Sequence, residues 1–73
     1  MIPISKLYGK IQDKLQLHPK LRYGQALMNV LFESYREAYD AVVATQHDCF
    51  YVDYKVEGTI KYLIDTNHFT SEV

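Results

Sequence analysis

Seventy-three residues, eight Lys or Arg against nine Asp or Glu, and a net charge of -1 allow one small domain, residues 1–73. They exclude a strongly basic nucleic-acid binder. A hydrophobic fraction of 48%, with seven Tyr and three Phe, excludes a disordered polar chain. The single cysteine, Cys49, excludes an internal disulfide, and no run approaches the ~20 apolar residues needed to cross a bilayer.

The chain begins MIPISKLYGK, without the apolar stretch of a secretory signal, so the expected setting is a reducing cytoplasm. A core of this size supplies only about 3–5 kcal/mol without staples, which makes a protein partner or self-association into a homo-oligomer the expected further support. Charge is uneven along the chain. Residues 1–22 carry Lys6, Lys10, Lys14, Lys20 and Arg22 against Asp13, net +4, and the remainder carries -5. The asymmetry suits internal pairing of the two parts, or a charged partner.

In chain order, Ile4, Leu7, Tyr8, Ile11 and Leu15 recur at offsets of three and four, which predicts an amphipathic helix from about Pro3 to Leu17, stopped by His18-Pro19. Gly9 inside it costs about 1 kcal/mol relative to Ala. Leu27, Leu31, Tyr35, Ala38, Tyr39 and Val42 continue a helical period, and Tyr23, Met28, Val30 and Phe32 widen the apolar face. Ser34-Tyr35-Arg36-Glu37 matches a capping box. It predicts a break into helices of about Lys20 to Glu33 and Tyr35 to Thr45, a single rod being the alternative.

Gln46 to Asp53 reads as a loop from which Phe50 plugs the core, a short strand over Cys49 to Val56 being the alternative. Val56, Ile60, Leu63 and Ile64 predict a last helix from about Tyr54 to Asp65, with Asp53 as N-cap and Glu57 in its first turn. From Asn67 the chain reads as a fraying tail. The expected fold class is all-α, a small compact bundle of three to four helices.

Lys6, Lys10 and Lys14 form one ridge, which with Lys20 and Arg22 could track phosphates; Glu33, Glu37 and Asp40 form a complementary acidic ridge. His47, Asp48 and Cys49 are consecutive and so diverge, whereas a zinc site needs four convergent ligands and a thiolate nucleophile needs an oriented base. No metal, cofactor or catalytic set is therefore expected, and Cys49 reads as a small buried hydrophobe. Tyrosine is the unusual component. Tyr51 and Tyr54, beside Asp48, Asp53 and Glu57, are the expected exposed contacts for a protein partner.

Arg22-x-Gly24-Gln25-Ala26-Leu27-x-Asn29-x-Leu31, followed by Asp48-x-Phe50-Tyr51-x-Asp53 and an apolar helix, resembles short uncharacterised proteins of bacteria and their phages that read RxGQAxxNxL and then DPFYxD. The resemblance spans Leu21 to Leu63 and implies no activity. This chain has Cys49 where those proteins commonly have Pro, and Ser34-Tyr35 where a Pro-containing helix start is common. The physical roles expected of the shared positions are structural: Gly24 for close approach of another helix, Gln25 and Asn29 for bonding to backbone groups of the loop. The functional expectation is a non-catalytic protein-interaction module of a bacterial or phage-infected cell, phage- or prophage-encoded and acting on a host protein. The alternative is a small nucleic-acid-binding protein that uses its basic first helix.

Overall fold

The computed structural model describes residues 2–71 and shows a compact all-α bundle whose two ends are joined by a minimal parallel sheet. Strand β1 (Ile2–Pro3) leads directly into α1 (Ile4–Leu17), with Pro3 at φ -63 and ψ 142 setting the turn from extended to helical backbone. Ile4, Leu7 and Ile11 are buried, while Tyr8 sits at the rim. The helix ends where expected, with His18 at φ -133 and ψ 75 before Pro19.

Helix α2 (Tyr23–Ser34) supplies much of the core through Ala26, Leu27, Met28, Val30 and Leu31. At its start the Gln25 side-chain oxygen accepts the Arg22 N–H at 3.0 Å, which satisfies a backbone donor beside the first turn. Gln25 thus bonds its own helix end and not the loop, and Asn29 makes no hydrogen bond to the loop among the described residues. A break follows close to the expected position, before α3 (Arg36–Val42), but Ser34 makes no cap. Tyr35 takes φ -137 and ψ 66 while its N–H still reaches Leu31 O and its carbonyl still accepts from Tyr39 N–H. The junction is therefore a one-residue kink in a nearly continuous ladder. Edge-on packing of Tyr35 against Phe69, centroids 5.0 Å apart, holds it there.

Helix α3 ends at Val42, three residues before the expected Thr45, because Ala44 adopts φ 60 and turns the chain away. After the loop, Asp53–Lys55 form a 3-10 turn and α4 spans Val56–Asp65. Asp53 does not cap α4; its side chain is committed elsewhere, as described below. The loop residues form no strand.

The expected fraying tail is overturned over residues 67–70. Asn67 at φ 65 closes α4, with His68 N–H on Leu63 O at 2.9 Å and Asn67 N–H on Ile64 O at 3.0 Å, the paired bonds of a Schellman cap. The chain then enters β2 (Phe69–Thr70), which pairs in parallel with β1 through Ile2 opposite Phe69 and Pro3 opposite Thr70. Phe69 is buried, and its side chain explains the ordered end: a fully buried aromatic ring stabilises more than a two-residue ladder can. Residues 72–73, the last of the expected tail, lie outside the described residues. The Cα radius of gyration is 11.0 Å, the value of about 11 Å expected for a compact chain of this length.

Two substitutions check this account. A Cβ on Gly9 would meet nothing within 4 Å, and the position is exposed in mid-helix, so Gly9→Ala should raise stability by about 0.5–1 kcal/mol in urea unfolding. Phe69→Ala should cost about 3–5 kcal/mol and leave the chain largely unfolded at 25 °C by circular dichroism; a loss below about 1 kcal/mol would restore the frayed tail.

Candidate functional site

The segment between α3 and α4 is irregular but tightly bonded. Asp48 organises it from within: one carboxylate oxygen accepts the Phe50 N–H and the other the Ala44 N–H, each at 2.9 Å. Thr45 Oγ1 donates to Val42 O at 2.6 Å and accepts the His47 N–H at 3.1 Å. The His47 ring stacks on Tyr62 of α4, centroids 3.8 Å apart at 12°. The hydroxyl of buried Thr59, also on α4, lies within hydrogen-bonding reach of two carbonyls, that of His47 and, at 3.0 Å, that of Lys55, which share its one proton.

The loop is then latched to the start of α2. A Cβ built on Gly24 would lie 2.2 Å from the Cys49 carbonyl oxygen and 3.0 Å from Asp53 Oδ1, so only glycine admits the loop backbone at this depth. Asp53 Oδ1 accepts the Gly24 N–H at 3.1 Å, satisfying an orphan donor of α2's first turn with a carboxylate where the helix dipole favours one. Arg22 completes the latch, with Nε 3.8 Å from Asp53 Oδ1 and an Nη donating to Phe50 O at 3.4 Å. Arg22, Gly24, Asp48 and Asp53 thus act together in one tertiary clasp between the loop and the first turn of α2.

Cys49 closes the clasp from inside. It is fully buried, its Sγ 3.8 Å from Gly24 O. Burial pushes its thiol above the ordinary value, the charges of Asp48 and Asp53 add to this, and the Thr59 hydroxyl opposes it. A buried neutral thiol is a poor nucleophile. Its neighbours point elsewhere, His47 onto Tyr62 and Asp48 into the loop backbone. Among the described residues no three metal-ligating side chains converge.

The tight loop turns Tyr51 outward and the 3-10 turn after it Tyr54, while Phe50 is half-buried against the core as expected. Tyr51 is 80% and Tyr54 85% exposed. Tyr51 lines a groove of about 400 Å³ together with Phe50, Asp48, and Met28, Phe32 and Tyr39 of α2 and α3. Two edge-to-face pairs shape it: Phe32 with Tyr39 at 5.1 Å and Phe50 with Tyr51 at 4.8 Å. Of the residues singled out for a protein partner, the structure therefore places Tyr51 and Asp48 on one groove. Tyr54 and Glu57 are exposed but do not line it, and Asp53 belongs to the clasp. Phe32, exposed at 48%, is the groove residue that sequence reasoning assigned to the core; its place beside buried Leu31, on the shoulder of the α2 stripe, was the available signal.

The basic residues do not form one free surface. Lys14 is bound to Glu33 of α2 at 2.7 Å and Arg22 to the clasp, leaving Lys6, Lys10 and Lys20 exposed. On the acidic ridge, Glu33 is taken by Lys14 and Asp40 pairs with Arg36 at 3.6 Å, so among the described residues the two ridges meet through a single bridge. No helix among the described residues is long and apolar enough to cross a membrane. The chain matches no family model, no curated protein and no solved structure.

The clasp yields a direct test. Gly24→Ala should cost about 2–3 kcal/mol, the upper part of the range for overpacking, because the Cys49 carbonyl is backbone and cannot rotate aside. Reaction of Cys49 with a thiol reagent should be slow in the wild type and at least tenfold faster in the variant under conditions where both remain helical. Equal rates would show that the loop does not depend on Gly24.

Proposed function

We propose that this chain is a non-catalytic module that binds another protein, with the groove at Phe32, Phe50 and Tyr51 as its centre and exposed Tyr54 and Glu57 beside it in sequence on the same loop and helix start. The observation that carries the reading is that a loop held by its own hydrogen bonds leaves two large aromatic side chains, Tyr51 and Tyr54, in solvent. Tyrosine supplies large contact area with only two side-chain torsions to immobilise, and anchors of this type dominate binding energy at protein interfaces. A loop fixed in advance also removes the ordering cost that a mobile one incurs on association.

The partner's chemistry follows from charge. Residues 23–73 carry -5 in sequence, and Asp48 lines the groove, so the complementary surface is a segment carrying an apolar or aromatic anchor and positive charge. Action by occupancy, in the cytoplasm of a bacterial or phage-infected cell and on a host protein, fits the resemblance to short phage proteins. Nucleic-acid binding has less support, because Lys14 and Arg22 of the basic set are engaged within the fold.

The decisive comparison is wild type against a Tyr51→Ala/Tyr54→Ala double variant of unchanged helicity. Proteins captured by the wild type from bacterial lysate would be purified and titrated against both. The variant should bind at least about tenfold more weakly, a loss of ~1.4 kcal/mol. Equal affinity of the two forms for every purified partner would remove this surface.

A further inference from the structure

We infer that the groove receives an arginine side chain of the partner, its guanidinium lying against Phe50 and Tyr51 with Asp48 as counter-charge; the inference rests on the protein-binding reading and specifies its anchor. Four aromatic rings, Phe32, Tyr39, Phe50 and Tyr51, line the groove together with one charged group, the Asp48 carboxylate. That carboxylate accepts two backbone N–H groups yet takes part in no salt bridge among the described residues. Both of its oxygens retain acceptor capacity, and its negative charge, without an ion-pair partner among the described residues, shares the groove with the aromatic side chains. Aromatic faces backed by a carboxylate form an environment selective for a cation over a neutral apolar group of equal size.

The molecule already contains the same arrangement, filled from within. The Arg36 guanidinium lies 4.2 Å from the Phe32 ring centroid and 5.6 Å from that of Tyr39, with Asp40 Oδ1 3.6 Å from its Nε. One edge-to-face aromatic pair of the groove thus holds an arginine that is flanked by a carboxylate. The second pair, Phe50 with Tyr51, has the carboxylate, but no cation lies over either ring among the described residues. Arginine suits it better than lysine because a planar, weakly hydrated guanidinium stacks on a ring while its edge donates to carboxylate oxygen.

The test uses the folded full chain, labelled with nitrogen-15, titrated with N-acetyl-L-argininamide and, as a neutral control of similar reach, N-acetyl-L-norleucinamide. The arginine probe should give saturable amide shifts at Asp48, Phe50 and Tyr51 and bind about threefold to fivefold more tightly than the control. Tyr51→Leu, at an exposed position where the fold does not depend on the ring, should abolish that preference; Asp48→Asn, which keeps one side-chain acceptor for the loop, should weaken arginine binding and leave the control unchanged. Equal affinity for both probes, unaltered arginine binding in Tyr51→Leu, or no shift up to the probe's solubility limit would overturn the inference. The first of these would still leave an apolar anchor site and the protein-binding reading intact, whereas unchanged partner affinity of the Tyr51→Ala/Tyr54→Ala chain would remove that reading itself.

Discussion

The close approach of the Cys49 carbonyl to the α-carbon of Gly24 sets the geometry of everything between α3 and α4. Because no side chain stands at position 24, the loop backbone lies directly on the first turn of α2, close enough for Asp53 to reach a helical N–H and for Arg22 to reach Phe50 O. The individual bonds are modest, about 0.5–1.5 kcal/mol each for neutral donors and somewhat more where a charge takes part. What makes them cooperative is that all require the same separation between helix and loop. Moving the loop outward by the thickness of a methyl group would lengthen the Asp53 and Arg22 contacts together and let water reach the Cys49 thiol.

A second constraint acts at the termini. The pairing of β1 with β2 involves two residues on each side, too few for independent stability, so the ladder is a consequence of burying Phe69 and not the cause. Phe69 in turn packs on Tyr35, the residue at which the α2–α3 ladder kinks. The same aromatic contact therefore ties the end of the chain to its middle. It gives a chain with little core to spare a long-range closure that helical hairpins alone would lack.

Periodicity made the helices legible. Ile4, Leu7 and Ile11 announced the face that α1 buries, and His18-Pro19 its end, because both signals are local. The break near Ser34 was visible for a reason that does not operate: the capping-box residues are present, but the kink is made by Tyr35 turning toward Phe69, a partner 34 positions away that no local pattern encodes. Tertiary demand likewise hid the role of Asp53, whose position before an apolar helix suits an N-cap while its carboxylate caps a different helix 29 residues earlier. The error at the C-terminus was of another kind. Asn67 is a residue that tolerates the left-handed conformation of a helix end, and Phe69 two places later is too apolar for a loose tail, so the two together carried a readable sign of a capped and re-entering chain.

The clasp and the groove share a residue, and this links the fold to its surface chemistry. Phe50 has its N–H held by Asp48 and its carbonyl by Arg22, while its ring forms one wall of the groove against Tyr51. Asp48 is common to both as well, fixing the loop backbone with its oxygens and lining the groove beside the aromatic residues. Substitutions that loosen the clasp, such as those at Gly24 and Asp53, will therefore disturb the groove even though they lie outside it. Tyr51 stands at the other extreme: its side chain makes no hydrogen bond among the described residues and is 80% exposed, touching the clasp only through the edge-to-face contact of its ring with Phe50. In a chain this small, the division of labour is drawn between adjacent residues, with Phe50 serving the fold and the surface at once and Tyr51 serving the surface alone.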